Sequence, residues 1–331
     1  MRTETHYLKL RAPITYEVNQ GQETVDSMDM NRNKVLVYPR ASELDDRSIR
    51  LVTTWEKRAQ VKKRFTYTTG FVPERPDFPT ELLPFDYAEW ERKHGEETMS
   101  IILTYAWLGF NHKVINVESN LLVPSCKLLM DRAFEQDDGI EVELLAQAQT
   151  DEAFHVLMAH KVNCISLARR GLSKPAIPRP RIVNEIGNIV ENEARRTERE
   201  LSIIAASIVT EVLIKGFLSP ISHSKTIQPL HRIVTNMHLI DEAGHGQVFR
   251  VVAHRLLMRL SGEQRDYFIA RMRECVDYFS DVDADVWLSL IGQAGLQVTQ
   301  EMAEEIESHQ AASDYSELDT LLRENERISV H

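Results

Sequence analysis

Cysteine is scarce in this 331-residue chain: three residues, Cys126, Cys164 and Cys275, far apart and without paired spacing. That excludes a disulfide framework and a zinc knuckle, and points to buried thiols in a reducing cytoplasm. Glycine (13) and proline (12) are also few, and long stretches contain neither, which disfavours a turn-rich sheet. Positive charge is in deficit. The net charge of -11 argues against nucleic-acid binding, where a basic face is expected. The N-terminus, MRTETHYLKLRAP, lacks the continuous apolar run of a cleaved signal. The most apolar stretch, LSIIAASIVTEVLIKGFL, carries Glu211 and Lys215, so it reads as a buried core helix rather than a membrane span.

What is present is helical patterning. Residues 1–40 show no sustained period and read as an extended lead-in, after which Ser42 caps a helix running to about Phe65. Pro73, Pro76, Pro79 and Pro84 mark an irregular connector. Helix resumes at Tyr87 and continues to about Arg132, with breaks at Gly95 and Gly109. A turn at residues 137–139 precedes a long helix over Ile140 to Arg170, and LSKPAIPRPR is a proline-rich loop. A second long helix covers Ile182 to Phe217, followed by the connector SPISHSKTIQP. A third runs from Pro229 to Leu260, and three or four shorter helices finish the chain. No strand-length alternation stands out. The expectation is a single all-α domain over 1–331, with a metal-binding helical core at 85–260 and C-terminal helices at 261–331.

One motif occurs twice. QTDEAFH (149–155) and LIDEAGH (239–245) both contain Asp-Glu-x-x-His, each on its own long helix. An offset of three residues returns to nearly the same helix face, so Glu152 pairs with His155 and Glu242 with His245. Two such pairs on separate helices, plus one glutamate from each of two further helices, form the pattern of a carboxylate-bridged dimetal bundle. Two glutamates in apolar context supply the rest. Glu211 lies between IIAASIVT and VLI, and Glu118 in WLGFNHKVINVESNLL. The separations match: 34 residues from Glu118 to Glu152, and 31 from Glu211 to Glu242. Four carboxylates nearly balance two divalent cations, and imidazole is a borderline donor suited to iron.

His238 stands one turn before Glu242, where it is either a third histidine ligand or a packed core histidine. Asp151 and Asp241, next to the glutamates, either orient the ligand histidines or are ordinary exposed carboxylates. His160 and His254 point away from the face of the pairs. His112 reads as structural or exposed, and His231 as core packing.

The segments GFNHKVINVES, QTDEAFH, IVTEV and TIQPLHRIVTNMHLIDEAGHG resemble the p-aminobenzoate N-oxygenase (AurF-like) family of non-haem di-iron amine oxygenases, over about residues 85–260 and more loosely in the tail. The resemblance implies a ferritin-like four-helix bundle core with additional helices. It also implies a ligand set of Glu118, Glu152, His155, Glu211, His238, Glu242 and His245, which favours His238 as a ligand. The implied cofactor is two iron ions, with dimanganese as the alternative. The implied chemistry uses O2 to oxidise an amine nitrogen to hydroxylamine and onward to nitroso or nitro, in specialised-metabolite biosynthesis. An external electron donor and a homodimer are implied as well; no nucleic acid or membrane is. The competing expectations are another di-iron oxidase, such as a C–H hydroxylase or desaturase, and a non-enzymatic ferritin-type iron binder. Two departures bear on the substrate. No lysine or arginine occurs from Glu274 to Leu322, where aryl-acid members of the family are expected to grip a carboxylate; Ser313 and Asp314 stand there instead. The polar pocket segment reads Gly109-Phe110-Asn111, which makes Phe110 and Asn111 candidate pocket residues. A neutral, aliphatic, amino-acid-derived or carrier-tethered amine is therefore at least as well matched as p-aminobenzoate.

Overall fold

The computed structural model describes residues 43–67, 70–134, 140–310 and 313–328, all within one compact unit, residues 38–331. The expected lead-in, the Ser42 cap and the turn at 137–139 lie outside the described residues. Among those described there is helix and no strand, as the patterning predicts.

Helix α1 (Glu43–Arg58) is followed by a short 3-10 turn, Gln60–Lys62, and α2 spans Tyr87–His94. α3 (Glu96–Val117) starts after Gly95, whose φ of 86° breaks the chain there as expected. Gly109 does not break α3. Its hydrogen lets the helix that carries Leu290 approach: a Cβ there would stand 2.9 Å from Leu290 Cδ1. α3 passes directly into a π turn, Glu118–Leu122, then α4 (Val123–Leu128) and a second π turn, Leu129–Ala133. Pro124 gives the physical reason for the first: it has no N–H to offer and its ring crowds the carbonyl one turn back, so the ladder widens.

α5 spans Ile140–Arg170 and α8 spans Pro229–Arg259, within one residue of the expected ends. The helix expected over 182–217 is two helices, α6 (Arg181–Asn192) and α7 (Arg196–His223). No glycine or proline marks the break. Side chains make it: Glu193 accepts from the Arg195 N–H at 3.0 Å, and Arg199 donates to the Glu193 carbonyl at 3.0 Å. At its other end α7 runs into the expected connector, with Pro220 in its last turns, where only one N–H is lost before the helix ends. α9 (Gly262–Phe279), α10 (Ala284–Gln293), α11 (Gln300–Ser308) and α12 (Ser316–Ile328) complete the described chain.

α3 packs on α5, α5 on α8 and α8 on α7, forming a ferritin-like four-helix bundle. α7 is apolar and long enough to cross a membrane by composition, but 72% of that window is buried inside the protein, so it is the core helix its sequence implied. Two apolar clusters hold the bundle. On α5 one ends at Ala148 and the other begins at Met158; on α8 they meet between Met237 and Val248. The two Glu-x-x-His pairs occupy those gaps, flanked by apolar packing at either end.

Candidate metal centre

All seven candidate ligands are buried, none more than 5% exposed. They converge as two groups whose ligand atoms lie within 4.8 Å of one another: Glu118, His155, His238 and Glu242, and Glu152, Glu211, Glu242 and His245. Glu242 belongs to both. In the first group, His238 Nε2 lies 3.1 Å from Glu118 Oε1 and 2.9 Å from Glu242 Oε1, and His155 Nδ1 stands 3.4 Å from Glu242 Oε1. In the second, His245 Nδ1 lies 2.8 Å from Glu152 Oε1 and 3.7 Å from Glu211 Oε2. Glu152 Oε2 also stands 3.4 Å from His155 Nδ1, so Glu152 faces both groups.

Each motif aspartate serves the opposite motif's histidine. Asp241 Oδ2 lies 3.2 Å from His155 Nε2, and Asp151 Oδ2 lies 3.0 Å from His245 Nε2. The rings are thereby turned so that both Nδ1 atoms face the glutamates. Both aspartates are fully buried, so the reading of exposed carboxylates is overturned: α1 and the 3-10 turn cover them. The Trp55 indole N–H donates to Asp151 Oδ2 at 2.8 Å. The Gln60 amide donates to Asp241 Oδ1 at 3.1 Å, and Arg58 donates to the Asp241 carbonyl at 2.6 Å. Gly244, inside the second motif, makes room for this: a Cβ there would collide with the Arg58 guanidinium. Trp55, Arg58 and Gln60 escaped sequence reasoning because nothing in their spacing says which helix α1 will cover.

Burial opposes ionisation at every carboxylate of the centre. It pushes Glu118 up to about 7 and holds Glu211 well above the usual carboxylate range, with the charges of Glu242 and Glu152 adding to the effect at Glu211. At Glu242 burial is overcome by His245 and His238, and at Glu152 by His245 and His155, so both stay below the usual range. Burial works against charge on His155 and His245 too, but Asp241 and Glu152 at the first, and Glu242 and Glu152 at the second, raise both well above an ordinary histidine.

Three glutamate oxygens (Glu118 Oε2, Glu211 Oε2 and Glu242 Oε2) are buried without a hydrogen-bond partner, while Glu152 Oε1 faces His245 Nδ1 at 2.8 Å. Orphaned acceptors at this density are costly in a dry interior, and a cation among them removes the cost. Four carboxylates and three imidazoles form a donor set for hard to borderline divalent metals, so the residues present fit a pair of them.

The profile of the p-aminobenzoate N-oxygenase AurF family matches residues 42–324. The chain belongs to that family. A 4-aminobenzoate N-oxygenase from Streptomyces thioluteus is 26% identical over 265 residues, covering 78% of this chain and 79% of that protein. As an AurF-family protein, the chain is an oxygenase that acts on an amine with O2.

The remaining candidates divide. Phe110 lines a cavity of about 310 Å³ between α3, α7 and α10, together with Phe78, Phe217 and Trp287. Asn111 is not among its lining residues. One position on, it turns about 100° away, and its Nδ2 donates to Asn163 Oδ1 of α5 at 2.7 Å. His231 packs in the core as expected: it stacks on Trp107 and lies 2.8 Å from the Asp77 carbonyl, and burial brings it down to about 4, so it is neutral. His112 is half-buried, 3.0 Å from the Pro178 carbonyl, and His160 is exposed. His254 is buried and belongs to neither ligand group. Cys126 and Cys275 are buried, whereas Cys164 is exposed on the outer face of α5, contrary to the expectation of three buried thiols.

Proposed function

We propose that this AurF-family oxygenase holds two iron ions through Glu118, Glu152, His155, Glu211, His238, Glu242 and His245, and N-oxygenates a small amine that carries no free carboxylate. The observation that carries the metal reading is the convergence of these side chains with their orphaned oxygens. His238 supports ligation over core packing because its Nε2 points between Glu118 and Glu242. Iron supplies the O2-activating redox chemistry when bound.

The chain's own residues shape access. A void of about 10 Å³ lies directly over Glu118, Glu211 and Glu242, walled by Val114, Val117, Leu122 and Ile214. It has room for about one water molecule. The cavity of about 310 Å³ is lined by residues of the same two helices, with Phe110 one turn from Val114 and Phe217 one turn from Ile214. Phe110 and Phe217 stack with centroids 4.6 Å apart, and both line the 310 Å³ cavity. We take this aromatic-lined cavity, one turn along the same two helices from the void, as the amine site.

Charge in that cavity supports the choice of amine. Its cation is Lys113, and Lys113 is already engaged: Nζ donates at 2.8 Å to Asp283 Oδ2 and at 2.8 Å to the Phe279 carbonyl. Asp281 and Asp283 face the same space. A neutral or aliphatic amine, or an amino-acid-derived or carrier-tethered one, avoids desolvating a carboxylate beside these acids.

The test reconstitutes the purified chain with ferrous iron, quantifies metal, and offers p-aminobenzoate alongside its amide and a set of aliphatic amines. The expected result is close to two irons per chain, with kcat/KM for the best neutral amine exceeding that for p-aminobenzoate by about tenfold or more. Equal or better turnover of p-aminobenzoate would sink the substrate reading, and protein without stoichiometric metal would sink the centre.

A further inference from the structure

The proposed centre needs electrons from outside, and α1 carries features that its packing role leaves unexplained. Trp55 Nε1 donates to Asp151 Oδ2 at 2.8 Å. That oxygen lies 3.0 Å from His245 Nε2, and His245 Nδ1 faces Glu152 at 2.8 Å. The chain from indole to centre is continuous and buried, with Trp55 8%, Asp151 0% and His245 1% exposed. Among the described residues the other motif aspartate has no aromatic partner of this kind: Asp241 is held by a main-chain amide and by Arg58.

The Trp55 ring has a second neighbour on the solvent side. Lys62 Nζ stands 4.7 Å from its centroid, on a side chain that is 43% exposed. Trp55 thus lies between the surface and the centre. Around it the charge reverses. Residues 57–64 read KRAQVKKR, five cations and no acid, in a chain of net charge -11. Lys57, Lys62, Lys63 and Arg64 are exposed. The adjacent acid, Glu56, is paired with Lys62 at 3.1 Å.

We infer that the Lys57–Arg64 surface docks an acidic one-electron carrier protein, and that electrons enter the centre along Trp55, Asp151 and His245. Charge complementarity selects the partner's sign and speeds encounter, although the protein as a whole repels acidic molecules. The electron count is closed by two turns of the carrier: RNH2 + O2 + 2 e⁻ + 2 H⁺ gives RNHOH + H2O, with two reduced carriers each giving one electron and leaving oxidised. The inference rests on the metal centre proposed above.

A plant-type [2Fe–2S] ferredoxin, which is acidic and transfers one electron, is the probe. Its oxidised form is titrated against the metal-free full chain at low and high salt. Its reduced form is then mixed anaerobically with the ferric-loaded chain, alongside dithionite as a small reductant. The charge-reversed variant Lys57→Glu/Lys62→Glu/Lys63→Glu/Arg64→Glu is expected to lose about tenfold or more in ferredoxin affinity at low salt and to converge with the wild type at high salt. Trp55→Phe is expected to bind ferredoxin like the wild type, while the ratio of ferredoxin-driven to dithionite-driven reduction falls about tenfold or more.

Equal slowing of both reductants in Trp55→Phe would mean that the indole only holds Asp151, and the path would be lost. Equal ferredoxin binding by the wild type and the charge-reversed variant, or binding of an RNA oligonucleotide in preference to ferredoxin, would overturn the docking surface. Failure of the wild type to retain iron would instead remove the centre itself, which separates that failure from the others.

Discussion

The two halves of the centre are built from one repeated motif and are not equivalent. Both take a histidine from Asp-Glu-x-x-His, and both have that histidine turned by the aspartate of the other motif. The Glu118 half adds His238, whose ring centroid stands 3.9 Å from that of His155, so it is rich in nitrogen. The Glu211 half has one imidazole and three carboxylates. Their supports differ too: Glu118 begins a π turn in which α3 has lost its regular ladder, whereas Glu211 sits inside the regular helix α7. A repeated motif does not force equal surroundings, and the extra imidazole would make the two proposed metal positions chemically distinct.

The severest way to break this comparison is to remove what the halves share. Glu242→Ala takes a ligand from both groups, and elemental analysis should find neither metal retained. Glu211→Ala strikes one half only and should lower the content from about two metals per chain to about one; two retained metals would exclude Glu211 from the set. His238→Ala addresses the asymmetry directly. It should keep most of the metal while slowing amine oxidation by about tenfold or more, and unchanged O2 consumption would make His238 a packing residue.

Smaller effects separate the two supports. Asp151→Asn and Asp241→Asn should each weaken metal binding by about 10–100-fold in a chelator competition. Asp241→Asn should also give the lower Tm by calorimetry, because it leaves Arg58 and the Gln60 amide facing a poorer acceptor. The pH dependence is the gentlest probe. Burial raises Glu118 to about 7 in the metal-free protein, and the facing carboxylates hold His155 and His245 protonated against their burial. Ligation needs the carboxylate and the free imidazole lone pairs, so metal uptake releases protons. Affinity should therefore rise with pH through about 7, followed by chelator competition across that range; a flat profile would contradict the protonated state of the empty centre.

Much of this was legible in the sequence. The ends of α5 and α8 were legible because proline- and glycine-bearing connectors flank them: Gly171 and LSKPAIPRPR after α5, and SPISHSKTIQP before α8. Glu118 and Glu211 were legible for a related reason: a carboxylate inside an apolar run is expensive unless something binds it. The break at 193–195 was not, since it is made by Glu193 and Arg199 side chains rather than by glycine or proline. Nor was the orientation of Asn111, because a one-residue step on a helix decides between the cavity and α5.

The sequence alone determined which residue types share a helix face, and so the inventory of the centre: paired Glu-x-x-His, two lone glutamates and a histidine one turn ahead. Helix geometry is local, and spacing suffices to read it. Tertiary structure decided the rest. It crossed the two aspartates onto opposite histidines, divided seven side chains into unequal halves sharing Glu242, and laid Trp55, Arg58 and Gln60 over the outside. Those pairings join residues up to 183 positions apart along the chain, and they form only when the packing of separate helices brings their faces together.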